Sequence, residues 1–186
     1  MPDADLTGRS VLAIVTNYGV EQDELVVPVD HLREDGARVV VAAVSSDPVQ
    51  TLVGDKDPGR EVTPDSTLGD ASADGFDLLL VPGGTINADQ LRLDDDAIAL
   101  VRAFAEAGKP IAAIRHGPWA LVTAGLVSGR SLTSYPSLQT DVRNAGGSWS
   151  DQSVVSDDGA FPLVTSRTPD DLDDFLGAID ALLARG

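Results

Sequence analysis

The sequence predicts an α/β protein whose mostly parallel central sheet is covered by helices on both faces. Strand and helix signals alternate along all 186 residues, and this alternation is typical of parallel sheets. Residues 10–15 form a continuous apolar run, which indicates a strand buried on both faces. The chain contains no repeat, linker or composition shift, so we expect residues 1–186 to form a single domain.

The first half of the chain begins with a strand–helix–strand unit. The helix is expected from Glu21 to Glu34, with apolar residues on one face and Gly36 as its end. The segment 45–75 is rich in Asp, Gly, Pro and Ser, which favours loops with one short hairpin. The elements predicted here are strands at 10–15 and 38–44, the helix at 21–34, and a hairpin around Thr51 and 61–63.

The second half continues the alternation. Asp77–Val81 is a third apolar strand, and Asp94 is expected to cap a helix that ends near Ala107. The remaining predicted elements are a strand at 110–114, a short helix to 124, a strand near 131–134, a helix over 137–145, strands near 149–155 and 161–166, and a closing helix at 169–184.

The charge composition limits the classes of partner that this protein can bind. A net charge of −17 argues against nucleic acid, because few cations are present to neutralise phosphates. The chain has 25 Asp against 5 Glu and only 2 Lys against 11 Arg. We interpret these short, strongly hydrated carboxylates as adaptation to high salt. The alternative is an ordinary acidic cytoplasmic protein.

Several classes of site are not expected from this sequence. Without cysteine, the chain offers no disulfide, thiolate metal site or thiol mechanism. No apolar run reaches transmembrane length and no signal peptide is apparent, so a cytoplasmic protein without membrane contact is expected. We predict no cofactor and no metal. Asp94–Asp96 are interpreted as helix-capping and solvated residues, and His31 as a solvated surface residue.

The most informative segment is 110–119, which runs from a buried strand through a tight turn into a helix. This arrangement is typical of a nucleophile elbow, which raises one side chain above the end of a sheet. The raised residue here is Arg115, whose guanidinium stays protonated and cannot act as a nucleophile. Segments 16–21 and 82–87 also follow predicted strands, so all three should converge at one edge of the sheet.

Six motifs in the right order make this chain resemble the PfpI family of the DJ-1/PfpI superfamily, over nearly its whole length. The resemblance implies a flavodoxin-like three-layer sandwich of the class I glutamine amidotransferase type. The motifs are VEQDELVVP at 20–28, LVPGG at 80–84, KPIAAIRHGPW at 109–119, LTSYPS at 132–137, DVRNAG at 141–146 and TSR at 165–167.

The resemblance also implies which residues surround the elbow. Family members carry a cysteine where this chain has Arg115, followed by the His-Gly-Pro that is kept here from His116. The family's acidic residue beside the cysteine falls on Glu21, with Glu24 also matching. Members are intracellular cysteine peptidases, deglycases and glyoxalases, generally dimers or hexamers. A neighbouring subunit often supplies an acid that orients the histidine, and Asp89 falls where that acid is expected.

Two residues beside Arg115 have alternative interpretations. Glu21 should ionise and pair with the guanidinium, in a bidentate manner, or it is simply a first-turn helix residue favoured by the dipole. His116 is either a base or donor that lines the pocket, or a structural residue that fixes the elbow by hydrogen bonding.

Small residues and aromatic residues complete the predicted pocket. The amides of Gly83, Gly84 and the His116–Gly117 turn could form an oxyanion hole or a small-anion nest, or a plain turn. With Arg115 they would favour a carboxylate or another anion, unless Glu21 already neutralises the charge. Trp119 and Tyr135 are expected to line the same cleft, although Trp119 also suits core packing.

These observations leave three hypotheses for function. The leading one is a PfpI-like protein that has lost thiol catalysis and acts in binding, stress response or structure. The second is an enzyme that uses Glu21 and His116 as acid and base, within a family otherwise associated with peptidase, deglycase and glyoxalase activity. The third is that position 115 changed recently or deliberately, so that Arg115→Cys would restore turnover.

Overall fold

The computed structural model describes residues 4–185, which contain twelve strands and six α-helices. The strands are β1 (Ser10–Ile14), β2 (Tyr18–Glu21), β3 (Arg38–Ala43), β4 (Val49–Val53), β5 (Asp57–Val62), β6 (Ser66–Thr67), β7 (Leu78–Val81), β8 (Ile111–Ile114), β9 (Ser131–Leu132), β10 (Ser148–Trp149), β11 (Val154–Asp157) and β12 (Leu163–Ser166). The helices are α1 (Gln22–Glu34), α2 (Thr85–Leu91), α3 (Asp95–Glu106), α4 (Pro118–Ala124), α5 (Gln139–Asn144) and α6 (Leu172–Ala184).

A seven-stranded sheet with the order β11-β12-β8-β7-β1-β3-β6 forms the centre. All of its strand pairs are parallel except β11 with β12. The strands β1, β7 and β8 are almost entirely buried, as their continuous apolar sequences require. The predicted α/β class, with its mostly parallel sheet, is therefore confirmed.

Two apolar cores lie on opposite faces of this sheet. Helices α1 and α6 cover one face and contribute Leu25, Leu32, Phe175 and Ile179 to its core. Helices α3 and α4 cover the other face, where Phe104 is completely buried. Alternate residues of the strands enter the two cores because successive side chains point to opposite faces.

The strand predicted near 149–155 is divided into β10 and β11, which belong to different sheets, and three further short elements were not predicted. The strands β2 and β6 have four and two residues, and α2 has seven. None is long enough to show the regular spacing of apolar residues that identifies a helix or a strand. The predicted hairpin is present as β4 and β5, and β2 pairs with β4 to extend it to three strands. Asp94 caps α3 as expected, because its side chain accepts a hydrogen bond from the amide of Ala97.

The expectation that His31 is a solvated surface residue is wrong. Its side chain is only 31% exposed, and its Nε2 lies 2.9 Å from Oδ2 of Asp180. This contact joins α1 to α6, because the two helices pack side by side on the same core. Within residues 4–185, no helix is both long enough and apolar enough to cross a membrane.

Gly117 is expected to be indispensable for packing α4 against the sheet. A Cβ there would overlap the carbonyl oxygen of Val81 and lie 3.0 Å from that of Ile114. We expect Gly117→Ala to lower the free energy of unfolding by about 1–3 kcal/mol, the usual cost of overpacking, as measured by urea denaturation.

The matched control is Gly177→Ala in α6, where a Cβ would meet no atom within 4 Å. It should raise the free energy of unfolding by up to about 1 kcal/mol, because Ala favours a helix over Gly. Equal effects of the two substitutions would contradict this packing.

Candidate functional site

The elbow has the geometry that the sequence predicts. Arg115 follows β8 with a φ of 60°, a left-handed conformation that is costly for a side chain other than glycine. The turn is closed by a hydrogen bond of 2.8 Å from the amide of Gly117 to the carbonyl oxygen of Ile114. Helix α4 then begins at Pro118, the first helical position, where proline is favoured.

The three segments that follow β1, β7 and β8 converge, as predicted. The backbone amide of Thr16 donates a 2.8 Å hydrogen bond to Oδ1 of Asn87. The same Asn87 is fully buried and donates from Nδ2 to the carbonyl oxygen of Gly83. Arg115 in turn reaches Glu21. The carboxyl ends of parallel strands therefore place these residues in one site.

The guanidinium of Arg115 contacts three carboxyl groups. Its Nη1 lies 3.1 Å from Oε2 of Glu21 and 3.3 Å from Oε1 of Glu24. Its Nη2 lies 2.9 Å from Oδ2 of Asp55. The predicted ion pair with Glu21 is present, but the bidentate geometry is not, because the two terminal nitrogens are shared among three acids. We call Arg115, Glu21, Glu24 and Asp55 the elbow cluster.

Asp55 was not foreseen from the sequence. It lies in the turn between β4 and β5, with a φ of 58°. Its Oδ1 accepts from the amide of Thr85 at 2.8 Å, and its Oδ2 accepts from the hydroxyl of the same residue. Gly54 and Asp55 also donate from their amides to Glu21. The pair Gly54-Asp55 indicates a turn, but only the fold places that turn over the elbow.

Glu24 is the most deeply buried member of the elbow cluster. Its side chain is completely inaccessible, and Oε2 accepts a 2.7 Å hydrogen bond from the amide of Gly83. Burial raises the pKa of Glu24 to about 8, although the charge of Arg115 and the Gly83 amide oppose this rise. The low-dielectric surroundings disfavour the charged form of the acid.

The charge balance of the elbow cluster bears on the anion site expected at Arg115. Burial disfavours the charged form of Arg115, but the neighbouring charges of Glu24, Asp55 and Glu21 outweigh it and raise the pKa of the guanidinium. One cation therefore faces at least the two carboxylates of Glu21 and Asp55. The geometry favours the alternative that the sequence left open, in which acids of the chain already neutralise the charge of Arg115; whether an anion binds there stays a prediction.

His116 lies beneath the elbow and is only 3% exposed. Burial, followed by the charge of Arg115, lowers the pKa of His116 to about 4, so the imidazole is neutral at pH 7. Its ring stacks on Tyr135 with centroids 4.8 Å apart. Its Nε2 lies 3.4 Å from the hydroxyl of Thr85, and its Nδ1 is buried without a hydrogen bond from residues 4–185.

The two aromatic residues expected to line a cleft lie against the elbow. The ring centroids of Trp119 and His116 lie 5.4 Å apart, and Nε1 of Trp119 donates a hydrogen bond to Asp141, so Trp119 is not a purely apolar core residue. The guanidinium carbon of Arg115 lies 5.3 Å from the centroid of the Tyr135 ring, which is close enough for a cation–π contact. Both side chains are partly buried.

The glycine amides are only partly available for the predicted oxyanion hole. The amide of Gly83 is used by Glu24, and that of Gly117 is used by Ile114. Gly84, with a φ of 84°, packs so closely that a Cβ would overlap the carbonyl oxygen of Gly19. The role predicted for Gly83 and Gly117 as anion donors is therefore wrong.

Asp89 lies apart from the elbow within this chain. It is exposed on α2, and among residues 4–185 its carboxylate accepts one hydrogen bond, from the neighbouring Gln90. A contact between Asp89 and His116 of the same chain is not formed.

Comparison with known proteins identifies the class. The chain matches the DJ-1/PfpI family over residues 9–181. It is 38% identical to general stress protein 18 of Bacillus subtilis, over 94% of this chain and 98% of that protein. It is also 38% identical to protein/nucleic acid deglycase 2 of Escherichia coli, over 88% of this chain and 92% of the relative.

Solved structures agree with this match. The crystal structure of Drosophila melanogaster DJ-1beta is 32% identical, has a TM-score of 0.85, and covers 96% of this chain and 91% of its own. The protein therefore belongs to the DJ-1/PfpI family, and the predicted flavodoxin-like fold is confirmed.

The raised pKa of Glu24 predicts how stability depends on pH. The folded state retains a proton that an unfolded glutamic acid loses near pH 4.5, so the free energy of unfolding should fall as pH rises from about 4.5 to about 8. His116 has the opposite effect, but only between about pH 4 and 6.5. Between pH 6.5 and 8 the fall is at most about 1.4 kcal/mol per pH unit.

Glu24→Gln should remove this fall between pH 6.5 and 8 in urea denaturation, because Gln does not titrate. His116→Gln is the control: it should change the dependence below pH 6.5 and keep the fall above it. If the free energy of unfolding depends on pH in the same way for the wild type and Glu24→Gln, Glu24 does not titrate in this range.

Proposed function

We propose that this protein is a DJ-1/PfpI family member that has lost thiol catalysis and serves as a stress-related binding or structural protein. The chain contains no cysteine. The residue raised at the elbow is an arginine, which cannot form a covalent intermediate.

The observation that carries this proposal is the elbow cluster. Arg115 is fixed by contacts with Glu21, Glu24 and Asp55 at 2.9–3.3 Å. Turning the guanidinium away would leave the buried carboxylate of Glu21 and the partly buried carboxylate of Asp55 without a counter-charge, which costs several kcal/mol, on the order of 3–5. The position that raises a nucleophile in an elbow is therefore occupied by a rigid, charge-compensated side chain.

The names of the relatives support a role in stress. One relative with 38% identity is named general stress protein 18, and that name requires no particular reaction. Other relatives are named deglycases, and we propose that this chain keeps their fold but not the activity that those names state.

A second candidate is thiol-independent chemistry by Glu21 and His116. The neutral imidazole with a buried, unbonded Nδ1 favours it, because a neutral histidine can accept a proton. Against it, the two oxygens of Glu21 already accept from Gly54, Asp55 and Arg115. If this candidate holds, a substrate screen should find an activity that both Glu21→Gln and His116→Ala abolish.

Assembly is a further part of the proposal. Asp89 is exposed on α2, so it is accessible to a neighbouring copy, and we propose a homo-oligomer, a dimer or hexamer, in which it approaches a neighbour's His116. The excess of Asp over Glu supports a high-salt cytoplasm as its environment.

Turnover of methylglyoxal tests the loss of thiol catalysis. We expect none above background for the wild type, at both low and molar salt. Arg115→Cys alone should give a weak activity, because Glu21 and Asp55 then face the thiol without a cation and raise its pKa.

The double variant Arg115→Cys/Asp55→Asn should turn over methylglyoxal about tenfold faster than Arg115→Cys, because it lacks one negative charge that disfavours the thiolate. Arg115→Ser is the matched control without a thiol and should stay at background. Wild-type turnover above the background of Arg115→Ser would refute the proposal.

A further inference from the structure

A second cluster of ligand-type side chains lies at the far end of α1. His31 and Asp35 are four residues apart, which places them on one face of the helical end. Asp180 of α6 approaches the same imidazole nitrogen. The three residues each offer one donor atom, and these atoms lie within 4.8 Å of one another. This cluster shares no residue with the elbow cluster.

Hydrogen bonds among residues 4–185 do not satisfy this second cluster. One nitrogen, Nε2 of His31, faces three carboxylate oxygens: Oδ2 and Oδ1 of Asp180 at 2.9 and 3.1 Å, and Oδ2 of Asp35 at 3.5 Å. A single N–H can serve only one of them well.

Asp35 is the unsatisfied member. Its side chain is only 5% exposed, and its Oδ2 accepts no hydrogen bond from residues 4–185. A buried carboxylate oxygen without a partner is costly. It points into the same space as the imidazole nitrogen.

The donor separations match those of ligands around one metal ion. Metal–ligand bonds of about 2.1 Å place adjacent donors about 3.0 Å apart in an octahedral shell and about 3.4 Å apart in a tetrahedral one. Nε2 of His31 lies 2.9 Å from Oδ2 of Asp180 and 3.5 Å from Oδ2 of Asp35, so both separations are close enough for the atoms to share one ion. An ion at this point would satisfy Asp35 and both other side chains at once.

We propose that His31, Asp35 and Asp180 bind a divalent transition-metal ion of the zinc type. One imidazole with two carboxylates suits Zn²⁺ better than Mg²⁺, which prefers oxygen ligands alone. Three protein ligands leave one or more positions for water. The ion would link α1 to α6, so that its binding stabilises the fold.

Calorimetric titration of the metal-stripped, tag-free protein with Zn²⁺ tests this site. We expect saturation at one equivalent in the presence of excess Mg²⁺, and a rise in Tm. His31→Gln and Asp180→Asn should each weaken binding by about tenfold or more. His31→Gln is decisive because it removes no carboxylate from this strongly acidic protein.

Glu106→Gln is the control, since it neutralises an exposed acid at the end of α3 and should leave Zn²⁺ binding unchanged. Co²⁺ gives a second readout: the wild type should show a visible absorption band that is absent in His31→Gln. Binding without one-equivalent saturation, or binding that survives both cluster substitutions, would mean that Zn²⁺ only associates with surface carboxylates, and would overturn the proposal.

Discussion

The site depends on the interaction between one guanidinium and three carboxyl groups above the ends of the central strands. Arg115, Glu21, Glu24 and Asp55 come from the elbow, the start of α1 and the β4–β5 turn. Each of these groups would be costly to bury alone, and together they are compensated. The cluster therefore determines which side chain stands at the elbow and how three distant segments are joined.

The backbone conformation at two residues of the elbow cluster allows their side chains to approach each other. Arg115 and Asp55 both adopt positive φ angles, and both point their side chains into the same contact. Strain at two such residues persists where surrounding interactions determine the conformation. The hydrogen bonds of Asp55 to Thr85 and of Glu24 to Gly83 supply these interactions.

Local patterns predicted most of the fold but only part of the site. The apolar runs of β1, β7 and β8 and the turn before α4 are properties of short segments, so the sheet and the elbow followed from sequence. The Arg115–Glu21 pair was expected only from the resemblance to the PfpI family. Asp55 could not be found in this way, because a hairpin turn does not reveal which part of the sheet it covers. Nor could sequence show that the amides of Gly83 and Gly117 are already used, or that His31 meets Asp180.

A double-mutant cycle between Arg115 and Asp55 tests the central claim most directly. The free energy of unfolding is measured for the wild type, Arg115→Met, Asp55→Asn and the double variant. The strain at position 115 is common to Met and Arg and cancels in the cycle. We predict a coupling energy of about 1.5–3 kcal/mol, because Arg115→Met removes the cation that pairs with Asp55, whereas Asp55→Asn removes the acid on Nη2 and leaves Arg115 paired through Nη1. Additive effects, within about 0.5 kcal/mol, would contradict the account.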